Sequence, residues 1–138
     1  MIRRKVLLSV FGFLAIAAVG LAQAPGGKGE KHLDKACWTC AESCLECIDA
    51  CAVAMAKEPS RLACLRACVA CNRECVMCAR NCESDTCTPA IMAKCADACR
   101  KCLAECEKHA AKDPACKACA EACRECIKHC ESAKKQPL

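Results

Sequence analysis

Cysteine returns every third or fourth residue along four stretches of this chain, and that spacing restricts the possible folds more than any other feature. The first stretch carries Cys37, Cys40, Cys44, Cys47 and Cys51. The second carries Cys64, Cys68, Cys71, Cys75, Cys78 and Cys82. The third carries Cys95, Cys99, Cys102 and Cys106, and the fourth Cys116, Cys119, Cys123, Cys126 and Cys130. Of the 21 cysteines, Cys87 alone stands outside the pattern. Alternating steps of three and four are the a/d repeat of helices that pack on one another. Each stretch therefore predicts a helix with a sulfur seam along one face.

The residues between the seams agree. Lys57-Glu58-Pro59-Ser60 breaks the first pattern and offers Ser60 as an N-cap. Thr88-Pro89 and Asp113-Pro114 each place a capping side chain before a proline at the first helical position. No glycine follows Gly29 and no proline interrupts a seam, while Ala, Glu, Lys and Arg fill the other faces. Helices are predicted over about 33–57, 60–84, 89–111 and 114–133, with 135–138 a tail. Short connections make successive helices antiparallel. The expected fold is all-α: an antiparallel up-down-up-down four-helix bundle over about 33–134 with a cysteine-lined core.

The N-terminus reads as a targeting segment. Arg3, Arg4 and Lys5 form a basic start, Val6 to Leu21 is an uncharged apolar run, and Ala22-Gln23-Ala24 fits a cleavage site. Residues 1–24 are thus an expected signal peptide, cleaved after Ala24, and 25–32 a Gly-rich tether. The Arg3-Arg4 pair before Val6-Leu7-Leu8 is also compatible with the twin-arginine route, which exports folded proteins. The expected location is the periplasm, with no stable membrane insertion after processing. Both phenylalanines lie in this segment and the chain has no tyrosine, so an aromatic core is excluded. Removing three leader cations takes the net charge from +5 to +2, with the charges interspersed. Without a basic stripe or stacking aromatics, nothing indicates nucleic-acid binding.

Twenty thiols on the inner seams need an explanation. Cysteine packs as a small hydrophobe, but it fills a core poorly beside leucine. A disulfide scaffold suits an exported protein, yet same-face helical neighbours stand wider than disulfide geometry allows. Metal binding accounts for the whole pattern, since each CxxC or CxxxC pair can offer two sulfurs to one ion and facing helices can supply more. Charge then selects the metal. The apo core must hold mostly neutral thiols, and the seams carry almost no Lys or Arg. One copper(I) per thiolate leaves a core near neutrality, whereas zinc on four thiolates carries two uncompensated negative charges. Soft thiolates also favour copper(I). The function expected from the residues is copper(I) storage, with multiple ions per chain. The alternatives are a metallothionein-like zinc or cadmium sink, or a disulfide-stapled envelope protein. No enzyme is expected, because CxxC repeated through helix interiors distinguishes no single reactive sulfur.

The stretches CWTCAESCLECIDAC (37–51), CLAECEKH (102–109) and CKACAEACRECIKHC (116–130) resemble the copper storage protein family. The resemblance runs over about 33–132. It implies a bundle filled with many copper(I) ions, each held mainly by two or three cysteine sulfurs. It further implies self-association and ion admission at one open end lined by His, Met or polar groups. Two departures stand out. Cys87 has no place in the pattern, and Pro114-Ala115 occupy a position where some relatives carry histidine.

One step beyond the third seam lie Met92 on one side and His109 on the other. His109 shares its end with Met55, and this end is expected to admit copper through those two soft donors. Cys87, Met92 and His129 mark the competing end, while His32 and His129 read as surface residues. Helices one and two also carry a second apolar stripe: Trp38, Leu45 and Ala52, flanked by Ile48, then Leu62, Val69 and Val76. This stripe is the expected interface of a homo-oligomer. A copper chaperone or a cuproenzyme recipient is the expected partner for exchange.

Overall fold

The computed structural model describes residues 30–135. The signal peptide, residues 25–29 of the tether and the last three residues lie outside the described residues. Four helices follow one another: α1 Glu30–Ala54, α2 Arg61–Glu83, α3 Pro89–Glu107 and α4 Pro114–Lys134. Each packs on the next and α1 packs on α4, while the diagonal pairs stay apart across the core. With three short turns reversing the chain, this is the up-down-up-down bundle.

The ends differ from expectation by a few residues. α1 begins at Glu30, inside the expected tether. It stops at Ala54, where Met55 to Lys57 turn toward Pro59. α3 stops at Glu107 and not 111. His109 N donates to Cys106 O (3.0 Å), and Asp113 N donates to His109 O (3.0 Å). Those bonds tighten the chain into a turn before Pro114, which disfavours helical geometry in the residue ahead of it.

Two of the three predicted caps form. Thr88 accepts a hydrogen bond from Ile91 N, and Asp113 accepts from Ala115 N and Cys116 N. Ser60 does not cap α2. Its backbone is already helical (φ −61°, ψ −19°), and its side chain makes no cap bond. A side-chain cap requires an extended backbone at that position.

One alanine per helix is buried directly after a seam cysteine: Ala41, Ala79, Ala96 and Ala120. With only a methyl group at these positions, the helices approach closely enough for thiols, short side chains, to meet across the axis. Asn72 Nδ2 donates to Ala41 O (2.9 Å) and Trp38 Nε1 donates to Glu83 Oε1 (2.6 Å), both joining α1 to α2. Arg124–Glu107 and Arg100–Glu131 join α3 to α4 on the exposed surface, where ion pairs contribute little. No described helix is long and apolar enough to cross a membrane.

Candidate metal centre

All twenty seam cysteines point inward, and every one except Cys82 is fully shielded from solvent. Neighbouring sulfurs stand 3.5 to 4.0 Å apart, as in Cys47–Cys116 (3.5 Å), Cys68–Cys102 (3.6 Å), Cys37–Cys126 (3.7 Å) and Cys40–Cys99 (4.0 Å). Two thiolates sharing one metal at about 2.3 Å are separated by a similar span.

The pairing differs from the chelates suggested by CxxC spacing. Close sulfur contacts within one helix occur at steps of four, Cys71–Cys75 and Cys102–Cys106, both at 3.9 Å. Most others cross between helices. Cys37, Cys78, Cys95 and Cys130 come one from each helix, as do Cys47, Cys68, Cys106 and Cys119; in each group the four sulfurs lie within 4.8 Å of one another. Cys47, Cys51, Cys64 and Cys116 form a further group, and Cys75, Cys95, Cys99 and Cys126 another. Cys47 and Cys95 each belong to two groups, so adjacent groups share sulfurs. The result is a continuous ladder in which a sulfur can bridge two ions. It also leaves no unique partner for any thiol, which weighs against a fixed set of disulfides.

Burial favours the neutral thiol throughout the core, while sulfur–sulfur contacts divide the set, raising some thiols and lowering others such as Cys40 and Cys119. Thiol–thiol contacts with Cys102 and Cys119, followed by burial, push Cys44 up. Burial pushes Cys51 up, and pushes Cys116 up to about 12. At neutral pH these groups stand as neutral S–H, so each incoming metal displaces protons.

A charged group missing from the sequence reading stands at one end of the ladder. Arg61 is 4 % exposed, the one buried charged side chain among the described residues. Its guanidinium donates to Asp113 Oδ2 (2.7 Å), Glu58 Oε2 (3.0 Å) and Cys116 Sγ (3.3 Å). Burial alone would raise Asp113. The Arg61 guanidinium and the backbone N–H groups of Ala115 and Cys116 outweigh it and hold the carboxyl below its ordinary value. Glu58, exposed, is lowered by the same guanidinium. Extending the second seam by one step, from Cys64 to Arg61, would have found this residue. The same extension of the first seam reaches Leu33, which is fully buried at the opposite end.

The remaining predicted site residues divide between the two ends. Met55, half-buried, lies in the turn after α1. His109 is half-buried at the same end, and its Nε2 is enclosed without a hydrogen-bond partner among the described residues. Met92 is buried in the first turn of α3, and Cys87 is half-buried in the α2–α3 turn. His32 and His129 lie together on the surface, with ring centroids 6.3 Å apart. On the second apolar stripe, Leu45, Leu62 and Val69 are exposed, while Trp38 and Val76 pack partly against the core.

A helical bundle whose interior is a ladder of soft sulfur donors belongs to the class of multi-ion thiolate proteins. The sequence pattern of the copper storage protein family matches residues 27–135, and the chain belongs to that family. Its fold is similar to that of a cytosolic copper storage protein from Streptomyces lividans, in a structure of copper loading with five coppers. The two are 27 % identical with a TM-score of 0.67, over 80 % of this chain and 95 % of the other. No curated protein matches the sequence.

Proposed function

We propose that this protein stores copper(I), holding many ions through core thiolates and performing no bond-breaking reaction. The observation that carries the reading is the ladder of overlapping four-sulfur groups, with a single buried cation at one end. Sulfur spacing alone suits zinc as well as copper. The charge balance does not: successive zinc-tetrathiolate groups would accumulate negative charge along an interior whose one buried cation among the described residues, Arg61, is already paired with Asp113 and Glu58. Copper(I) replaces each proton with one positive charge and keeps the ladder near neutral. The experiment is a competition in which the reduced protein meets zinc(II) and copper(I) together without oxygen. Copper(I) is expected to fill the core and leave zinc in solution. Retention of zinc at equal total metal would favour the zinc-sink reading instead.

His109 and Met55 fit this account as auxiliary soft donors beside the terminal group of Cys47, Cys51, Cys64 and Cys116. The partnerless Nε2 of His109 supports that assignment. The basic-apolar leader and Ala22-Gln23-Ala24 support export to the periplasm, which a mature N-terminus at Pro25 in an envelope fraction would test. Exchange there would be with a copper chaperone or a cuproenzyme.

The second apolar stripe supports a homo-oligomer. Leu45 is 54 % and Val69 49 % exposed, and the exposed Leu62 precedes Val69 by about two turns on the same stripe of α2. Replacing Leu45 and Val69 together with lysine is expected to lower the native mass in solution to that of one chain. An unchanged native mass would place the interface elsewhere.

A further inference from the structure

Outside the core, α1 and α4 bring together donors of a different kind. His32 lies in the first turn of α1 and His129 in the last two turns of α4. Two of the chain's three histidines thus meet from opposite ends of the described residues, with ring centroids 6.3 Å apart and ring planes inclined by 29°. Both line a shallow groove that runs between the two helices, and Glu125 lines it with them. Glu125 stands four residues before His129, so the carboxylate and the ring share one face of α4. Lys128 Nζ is 3.9 Å from Glu125 Oε2, beyond hydrogen-bond length, and leaves that carboxylate able to bind elsewhere.

The charge of the groove suits a cation. Besides Glu125 it holds Glu121 and Lys35, so two carboxylates face one ammonium and the balance is negative. The geometry is close to that of a chelate. Two imidazoles on one tetrahedral ion, with metal–nitrogen distances of about 2.0–2.1 Å, set their centroids roughly 5 Å apart. The observed 6.3 Å is about 1 Å wider. His32 is exposed, so its ring is free to turn toward His129 without displacing packed neighbours. Ring contact alone would be served by any aromatic pair and calls for no carboxylate one turn away.

This donor set differs in kind from the core. Imidazole nitrogen and carboxylate oxygen suit divalent ions of the later first-row metals, whereas thiolates select soft monovalent copper. Among those divalent ions copper(II) binds such donors most tightly.

We propose that His32, His129 and Glu125 form a surface site for a divalent late first-row cation, filled independently of the sulfur ladder. None of its donors belongs to a seam, so the site does not rest on the storage reading. The bound ion ties the start of α1 to the end of α4. Copper(II) held there would be copper in the oxidation state that the thiol core does not select.

The test is a titration of the reduced, copper(I)-loaded protein with nickel(II), a probe that does not oxidise thiols. It is followed through the ring resonances of the three histidines, which paramagnetic nickel(II) broadens when they bind it. The first equivalent is expected to broaden His32 and His129 and to leave His109 sharp. His32→Phe and His129→Phe keep a ring in the contact and lose its nitrogens, and each is expected to weaken nickel(II) binding about tenfold or more. Glu125→Gln is expected to weaken it about threefold or more. All three variants should take up as much copper(I) as the wild type. Equal broadening of all three histidines, or wild-type nickel(II) affinity in any of the variants, would overturn the site. So would thiolate-to-nickel charge-transfer absorption with His32 and His129 still sharp, which places the ion on sulfur. A copper(I) content of only a few ions would overturn the storage reading alone, because the histidine signals report the surface site separately.

Discussion

Filling the core with copper(I) is expected to raise the midpoint of thermal unfolding by at least about 20 °C over the reduced apo protein. The apo interior is built from thiols and alanines, with Leu33 and Met92 as its only larger buried apolar side chains among the described residues. Such a core buries little apolar surface per residue, so the apo bundle gains less from the hydrophobic effect than a leucine-packed one. Each ion ties sulfurs from different helices, and the ladder runs most of the bundle's length. A ligand present at about a thousand times its dissociation constant contributes about 4 kcal/mol per site. Three such sites would stabilise the bundle by about 12 kcal/mol, and each kcal/mol shifts the midpoint by about 4–8 °C in a domain of this size class. Copper binding by thiols of the unfolded chain reduces the gain, which is why the lower bound is set well below that product. Anaerobic melts followed by helical circular dichroism measure it. A shift of a few degrees on full loading would mean that the metal does not bridge the helices.

The second large effect concerns the apo protein. Arg61→Leu is expected to lower its stability by about 2–3 kcal/mol, equivalent to roughly 10 °C or more in the melting midpoint. The substitution removes the donor to Asp113, Glu58 and Cys116 and leaves Asp113, with 14 % of its side chain exposed, without its cation. The pH dependence separates this from a mere packing loss. Asp113 has a folded pKa below its unfolded value, so it contributes stability that is present above the ordinary carboxylate pKa of about 3.9. That contribution is lost as pH falls through the folded value. Without Arg61 the folded pKa rises toward the unfolded one and the contribution shrinks. The stability gap between wild type and Arg61→Leu is therefore expected to be widest near neutrality and to narrow below about pH 4. Arg61→Lys, which keeps the charge, should retain part of it. A gap that does not change with pH would show that Arg61 acts only by filling space.

The seams made the fold readable before any coordinates. Steps of three and four fixed helix, face and core together, and Thr88 and Asp113 fixed the starts of α3 and α4 through a side-chain oxygen followed by proline. What the sequence reading missed depends on distant partners. Arg61 follows a break and carries no signal of its own, and its burial is bound up with Asp113, 52 positions later, which accepts from its guanidinium. Leu33, the first residue after the expected tether, continues the first seam by one step of four. That facing helices add sulfurs follows from the seams, but which four sulfurs form each group does not. The across-axis contacts depend instead on how near the alanines let the helices come. The two ends of the bundle look equivalent in a one-dimensional pattern. Only burial shows that one carries a buried ion pair while the other leaves two thiols partly exposed to solvent.

The most direct test of the central claim is an anaerobic copper(I) titration of the reduced protein against a competing chelator, counting ions per chain. The account predicts tight binding that continues to roughly one copper(I) per seam cysteine, with protons released as it proceeds. Saturation after a few ions, with most thiols still reactive in the folded protein, would contradict it.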